Sequence, residues 1–121
     1  MKFDFDNNIP IYLQIVEQLT RDIISGKISV GERLPSVRDL ALQLKVNPNT
    51  VQRALTELEN IGLVFTERTN GKFVTEDISL IEKQKSEYAD IITQKYMETM
   101  GKIGFDKNEV LLLIKGLGGN R

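Results

Sequence analysis

The sequence predicts an α+β fold, mostly α: three helices, one β-hairpin, then an antiparallel pair of helices. Three observations predict it. Apolar residues recur at helical spacing in five stretches punctuated by Pro, Gly and Asn. A single pair of β-rich runs, residues 63–68 and 72–75, flanks Asn70-Gly71. From residue 77 on, only helical patterning remains.

The elements follow in order. Pro10 opens the first helix at a tolerated first-turn position, Tyr12, Ile15, Val16, Leu19 and Ile23 form its apolar stripe, and Gly26 stops it. Ile28-Ser29-Val30 is expected as one short strand before a turn at Gly31. The second helix begins after Pro35, capped by Ser36 with Asp39 three residues on, and buries Val37, Leu40, Ala41 and Leu44. Lys45-Val46 makes a tight turn. Asn47 caps the third helix, Pro48 takes its first position, Val51, Ala54, Leu55 and Leu58 line its inner side, and Gly62 ends it. After the hairpin, Ile81, Tyr88, Ile92 and Tyr96 sketch a long amphipathic helix, with Ile91 and Met100 on its flanks and Gly101 and Gly104 as breakers. Asp106 with Glu109 caps the last helix, which Gly116, Gly118 and Gly119 are expected to stop. The pattern changes near residue 77, dividing the chain into a domain at 1–76 and a helical tail at 77–121.

Composition narrows the chemistry. The 121 residues include no Cys and no His, which removes disulfides, thiol nucleophiles, imidazole bases and the common zinc, copper and haem sites. There is no phosphate-cradling glycine loop and no carboxylate cluster at metal-ligand spacing, so an enzyme is not expected and no cofactor or metal is called for. No apolar run approaches the roughly 20 residues that span a bilayer, and the start is not a signal peptide, so a cytoplasmic protein is expected. The net charge is −1, split evenly along the chain, so total charge does not point to nucleic acid.

Local pattern does. Two helices joined by a tight turn, followed by a two-stranded wing, are the sequence form of a winged helix-turn-helix. On the third helix the apolar residues share one sector, and Asn49, Arg53 and Thr56 fall opposite, with Thr50 and Gln52 beside them. Asn and Gln pair with adenine, Arg with guanine, and Thr with phosphate or a thymine methyl. Taken alone, Asn49, Gln52 and Arg53 fit a solvated face as well as a DNA-reading one, and Asn47 fits a cap. The order of elements favours DNA. A cation at the start of the second helix, Arg38, gains nothing from the helix dipole and suggests an outside phosphate. Arg68 and Lys72 bracket the hairpin tip as a cationic loop. The candidate DNA-contacting set is Arg33, Ser36, Arg38, Lys45, Asn47, Asn49, Thr50, Gln52, Arg53, Arg68, Asn70, Gly71 and Lys72. The competing use of this fold, a protein-binding adaptor without specific DNA binding, calls for apolar or acidic residues on the exposed side of the third helix. Its amide-rich surface with Arg53 does not supply them.

Residues 31–41 (GERLPSVRDLA), 46–55 (VNPNTVQRAL) and 57–64 (ELENIGLV) resemble the winged helix of the GntR family of bacterial regulators over roughly residues 9–76. The short two-helix tail is similar to the YtrA-like subfamily. The resemblance implies a transcriptional repressor binding a double-stranded operator, often of a transporter operon, without a large effector domain. It also implies that the arginine at Arg38 contacts phosphate or base, that Asn47 to Arg53 enters the major groove, and that Gly71 lies at the wing tip near the minor groove. Departures are Val30-Gly31 where the family has Pro-Gly, Lys45 where a glycine is common, and Gln52 where many relatives carry Arg, which tilts the preference there toward adenine. A left-handed Lys45 carries about 1 kcal/mol of strain.

The tail is too small to enclose its own core. Its last helix is apolar on more than one side, so a symmetric homodimer is expected through Tyr88, Ile92, Tyr96, Val110, Leu111, Leu113, Ile114 and Leu117, placing two winged helices over a palindrome. A small-molecule effector, if the regulator takes one, is expected at that interface or between tail and winged helix, near Tyr88 and Tyr96.

Overall fold

The structure, a computed structural model, describes residues 3–119. In chain order these form α1 (Ile11–Ile24), α2 (Val37–Leu44), α3 (Pro48–Ile61), β1 (Val64–Glu67), β2 (Gly71–Val74), α4 (Ile78–Lys102) and α5 (Lys107–Gly119). The chain divides into two compact units, one running to Gln84 and the other from Lys85 on, so α4 contributes to both.

The first unit is organised by the apolar stripes of its three short helices. Ile15, Leu19 and Ile23 of α1, Leu40, Ala41 and Leu44 of α2, and Val51, Ala54, Leu55 and Leu58 of α3 form one buried cluster. Val64 and Val74 of the hairpin and Ile81 of α4 join the same cluster. Burying each Leu, Ile or Val stabilises by about 1.5–3 kcal/mol, which is what holds such short helices in place. Side chains and glycines set the boundaries. Ser36 Oγ accepts the Asp39 N–H at 3.1 Å at the start of α2, and Asn47 Oδ1 accepts the Asn49 N–H at 2.8 Å at the start of α3. The turn between them has Lys45 in the left-handed region, φ 58° and ψ 47°, with the Val46 N–H returning to the Ala41 carbonyl at 3.1 Å. At Gly62, which ends α3 with φ 94°, an added Cβ would come within 2.9 Å of Leu80 Cδ2.

The hairpin is antiparallel, pairing Val64 with Val74, Phe65 with Phe73, Thr66 with Lys72 and Glu67 with Gly71. Side chains alternate across a sheet. Val64, Thr66, Lys72 and Val74 therefore share one face, and Phe65 and Phe73 stack on the other with centroids 5.8 Å apart. The strand expected at Ile28-Ser29-Val30 does not form. The Ile28 N–H goes to the Asp22 carbonyl, and a turn from Ser29 to Glu32 passes through Gly31 at φ 75°. The edge of the hairpin is instead taken by the segment just beyond that turn. The Val74 N–H reaches the Glu32 carbonyl at 2.9 Å, the Leu34 N–H reaches the Lys72 carbonyl at 2.8 Å, and Arg33 bridges to Phe73.

In the second unit, Asp106 and Glu109 cap α5 reciprocally, at 2.9 and 3.1 Å. Two expected helix ends are corrected. Gly101 lies inside α4, which ends through Gly104 at φ 96° with the Phe105 N–H on the Met100 carbonyl at 2.9 Å. Likewise Gly116 lies within α5, which continues to Gly119. An interior glycine costs a helix only about 1 kcal/mol, and it ends one only where the chain turns left-handed. Of the expected dimer residues, Val110 is already buried within the chain at 2% exposure, and Tyr88 is half-buried. Ile92, Tyr96, Leu111, Leu113, Ile114 and Leu117 are exposed, from 41% at Tyr96 to 66% at Leu117.

Candidate nucleic-acid interface

The apolar stripe of α3 turns Val51, Ala54, Leu55 and Leu58 into the core, so its other side is left to solvent. Asn47, Asn49, Gln52, Arg53 and Thr56 are exposed there, and Thr50 is half-buried. Their side chains are not equally free. Asn47 Oδ1 is committed to its cap. Gln52 Nε2 donates to Thr56 Oγ1 at 3.3 Å, and the Thr56 hydroxyl donates to the Gln52 carbonyl at 2.9 Å. The Asn49 side chain has no hydrogen-bond partner among the described residues.

Arg53 is fixed by a residue from another helix. Its guanidinium carbon sits 3.8 Å from the ring centroid of Tyr12 on α1, and Nη2 donates to the Tyr12 hydroxyl at 3.2 Å. With Ile11, Asn49 and Thr50 this pair lines an open recess of about 360 Å³. Sequence reasoning counted Tyr12 only as part of the α1 apolar stripe. The available signal was a phenol, with a polar tip, at a position an aliphatic residue would fill.

The start of α2 and the wing meet around a second cleft of about 270 Å³, which brings together Arg33, Ser36, Arg68, Gly71 and Lys72. The Ser36 hydroxyl is used in the helix cap. Arg33 lies against the wing tip: a Cβ on Gly71, whose φ is 100°, would stand 3.4 Å from Arg33 Nε. Asn70 Nδ2 donates to Glu67 Oε2 at 3.2 Å, while Arg38, Lys45 and Arg68 are exposed.

Lys72 is the residue the structure moves. Of the cationic loop expected from Arg68 and Lys72, Arg68 is exposed, whereas the hairpin register turns Lys72 toward α3, where its ammonium donates to Glu59 Oε1 and to Thr66 Oγ1. Thr66 also donates to Glu59 Oε1 at 2.9 Å. The Lys72 hydrogen bond, with help from Thr66, holds the Glu59 carboxyl below the ordinary glutamate value of 4.5. Arg33, by contrast, lies with its guanidinium against Gly71.

Charge pairing separates two classes of cation. Arg21 pairs with Glu17, and Lys72 with Glu59. Among the described residues Arg33, Arg38, Lys45, Arg53 and Arg68 have no acid within salt-bridge distance. Five cations of the helix-turn-helix and wing thus stand outside any ion pair among the described residues, in a chain of net charge −1.

Residues 11–74 match the family described as bacterial regulatory proteins, gntR family. The chain is 36% identical over 115 residues to the HTH-type transcriptional regulator YhcF of Bacillus subtilis (strain 168), with 95% of each covered. It is 31% identical over 121 residues to the HTH-type transcriptional repressor YtrA of the same organism, covering 88% of this chain and 93% of that one. Among solved structures, a GntR family transcriptional regulator from Listeria monocytogenes matches with a TM-score of 0.87 at 39% identity, over 93% of this chain and 98% of that one.

Proposed function

The chain belongs to the gntR family of bacterial regulatory proteins, transcriptional regulators with a winged-helix DNA-binding domain, and from that premise we infer that it represses transcription by holding a palindromic operator as a homodimer. The observation that carries the reading is the set of five unpaired cations, Arg33, Arg38, Lys45, Arg53 and Arg68, around an amide-rich helix start. These cations share the elements that carry the amide-rich helix start, and a DNA duplex supplies one phosphate charge per ~1.7 Å of its axis.

In this reading the start of α3 enters the major groove. Asn49 and Gln52 face base edges, with Gln52 giving up its bond to Thr56 to do so, and Thr50 stands beside them. Arg38 and Lys45 lie along the backbone. Arg33, Arg68, Asn70 and Gly71 approach the adjacent minor groove, and Lys72 braces the wing. The exposed apolar side chains of the second unit support the homodimer, since a helical pair that leaves Leu111, Leu113, Ile114 and Leu117 in water gains by covering them with a second copy. The regulator acts in the cytoplasm, and no described helix is long and apolar enough to cross a membrane. The short two-helix tail, resembling the YtrA-like subfamily, supports a transporter operon as the regulated target.

The test is selection of duplexes from a randomised library by the full-length chain, followed by anisotropy titration. A two-fold symmetric consensus bound far more tightly than random DNA, with affinity falling steeply with salt, is expected. Equal affinity for selected and random duplexes at every salt concentration would overturn the reading.

A further inference from the structure

We propose that Tyr12 and Arg53 form a clamp for one phosphate of the DNA backbone, adding α1 to the contacting elements. This rests on the DNA-binding function above and names a contact outside the helix-turn-helix and wing.

The geometry supplies the argument. An exposed arginine ordinarily samples many rotamers, yet Arg53 is laid sideways onto α1. Its guanidinium carbon is 3.8 Å from the Tyr12 ring centroid, and Nη2 donates to the Tyr12 hydroxyl at 3.2 Å. The side chain is thereby pre-set before any ligand arrives. The Tyr12 oxygen is an acceptor in this bond, so its own O–H proton must point elsewhere, and none of the described residues accepts it. Guanidinium has no acceptor, and four of its five N–H groups remain. What the pair offers is therefore donors and positive charge, at the mouth of the recess that Asn49 and Thr50 also line. No acid is within salt-bridge distance to satisfy it. A non-bridging phosphate pair, acceptor-only and anionic, fits that offer.

The experiment compares the full-length chain with Tyr12→Phe, Arg53→Ala and the double variant. The probes are the duplex selected by the unmodified chain and a random duplex of equal length, each titrated by anisotropy over a salt series. Tyr12→Phe keeps the ring and removes only the hydroxyl, and Arg53→Ala changes an exposed position, so both variants retain the core. Each is expected to weaken both duplexes by a similar factor of about tenfold, leaving the specificity ratio intact. Arg53→Ala should flatten the log–log salt slope by about one unit. The double variant should lose less than the product of the two. A single uncharged methylphosphonate at the clamped position should weaken the unmodified chain and erase its advantage over the variants.

Relaxed preference at one base position in Arg53→Ala would make Arg53 a base reader and overturn the clamp. So would a Tyr12→Phe variant with unchanged affinity. Failure of the unmodified chain to select any sequence is a separate result, and it removes the regulatory function and the clamp together.

Discussion

Lys72 on β2 is bonded to Glu59 on α3, and Thr66 on β1 touches both, its hydroxyl 2.9 Å from the Lys72 ammonium and 2.9 Å from the Glu59 carboxylate. Three elements meet at this triangle, which fixes how the wing lies against the end of α3 that carries Glu59.

The triangle makes stability depend on acid. The Glu59 carboxyl titrates lower in the folded chain than when unfolded, so its contribution is complete above the ordinary value of 4.5 and is lost as pH falls through the folded value. Asp77, held down by the Ser79 hydroxyl and the Leu80 N–H, acts in the same direction. Glu59→Gln should cost about 1 kcal/mol at pH 7, and its thermal midpoint should converge with that of the unmodified chain as acid protonates the Glu59 carboxyl. A difference independent of pH would refute the role given to this ion pair.

Lys45 holds a left-handed backbone, φ 58° and ψ 47°, that glycine adopts without strain. Lys45→Gly is therefore expected to raise stability by about 1 kcal/mol in urea denaturation. Because the substitution also removes one of the five unpaired cations, operator affinity should fall at the same time. Stability and function moving in opposite directions is the signature of a residue retained for its charge.

Gly71 combines φ 100° with an Arg33 guanidinium 3.4 Å from where a Cβ would stand. Gly71→Ala is expected to cost about 1 kcal/mol from backbone strain and to displace Arg33 from the wing tip. A gel-shift titration should show weaker binding than Arg68→Ala alone produces. Equal loss in the two variants would separate Arg33 from the interface.

The exposed side chains of α5 predict the assembly. Ile114→Glu combined with Leu117→Glu, at positions 50% and 66% exposed, should convert a dimer into a monomer in sedimentation, with little change in the secondary structure of the winged helix. Operator affinity should drop by about 100-fold or more, because the second half-site no longer binds at high effective concentration. Truncation is better placed after Gln84 than after residue 76, since Ile81 is 6% exposed in the winged-helix core and its loss would confound the result.

Much of the fold was legible because its signals are local. Ser36, Asn47 and the Asp106–Glu109 pair satisfy helix ends within three residues of themselves, and Gly62 and Gly104 mark ends by backbone conformation alone. The apolar stripes of α1, α2 and α3 specify the core for the same reason. Gly101 and Gly116 lie inside helices that their sequence pattern would end, because a glycine in a sequence does not reveal whether its φ is positive. The candidate interface was legible as residue types, with Arg38, Asn49 and Arg68 exposed on the expected elements. Which of its charges are free was not.

By itself, then, the sequence determined the elements, their order, the buried stripes and the amide-rich start of α3, all set by periodicity and capping over a few residues. Tertiary structure alone decided the partners. Arg53 meets Tyr12 across 41 positions and Lys72 meets Glu59 across 13, while the hairpin edge is taken by Arg33 rather than by residues 28–30. Such pairings depend on the packing angle of two helices and on strand register, where a shift of one residue turns a side chain to the opposite face. That is why Lys72, read as a wing-tip cation, is bonded to Glu59, and why Tyr12, read as core, holds Arg53 on its ring and hydroxyl.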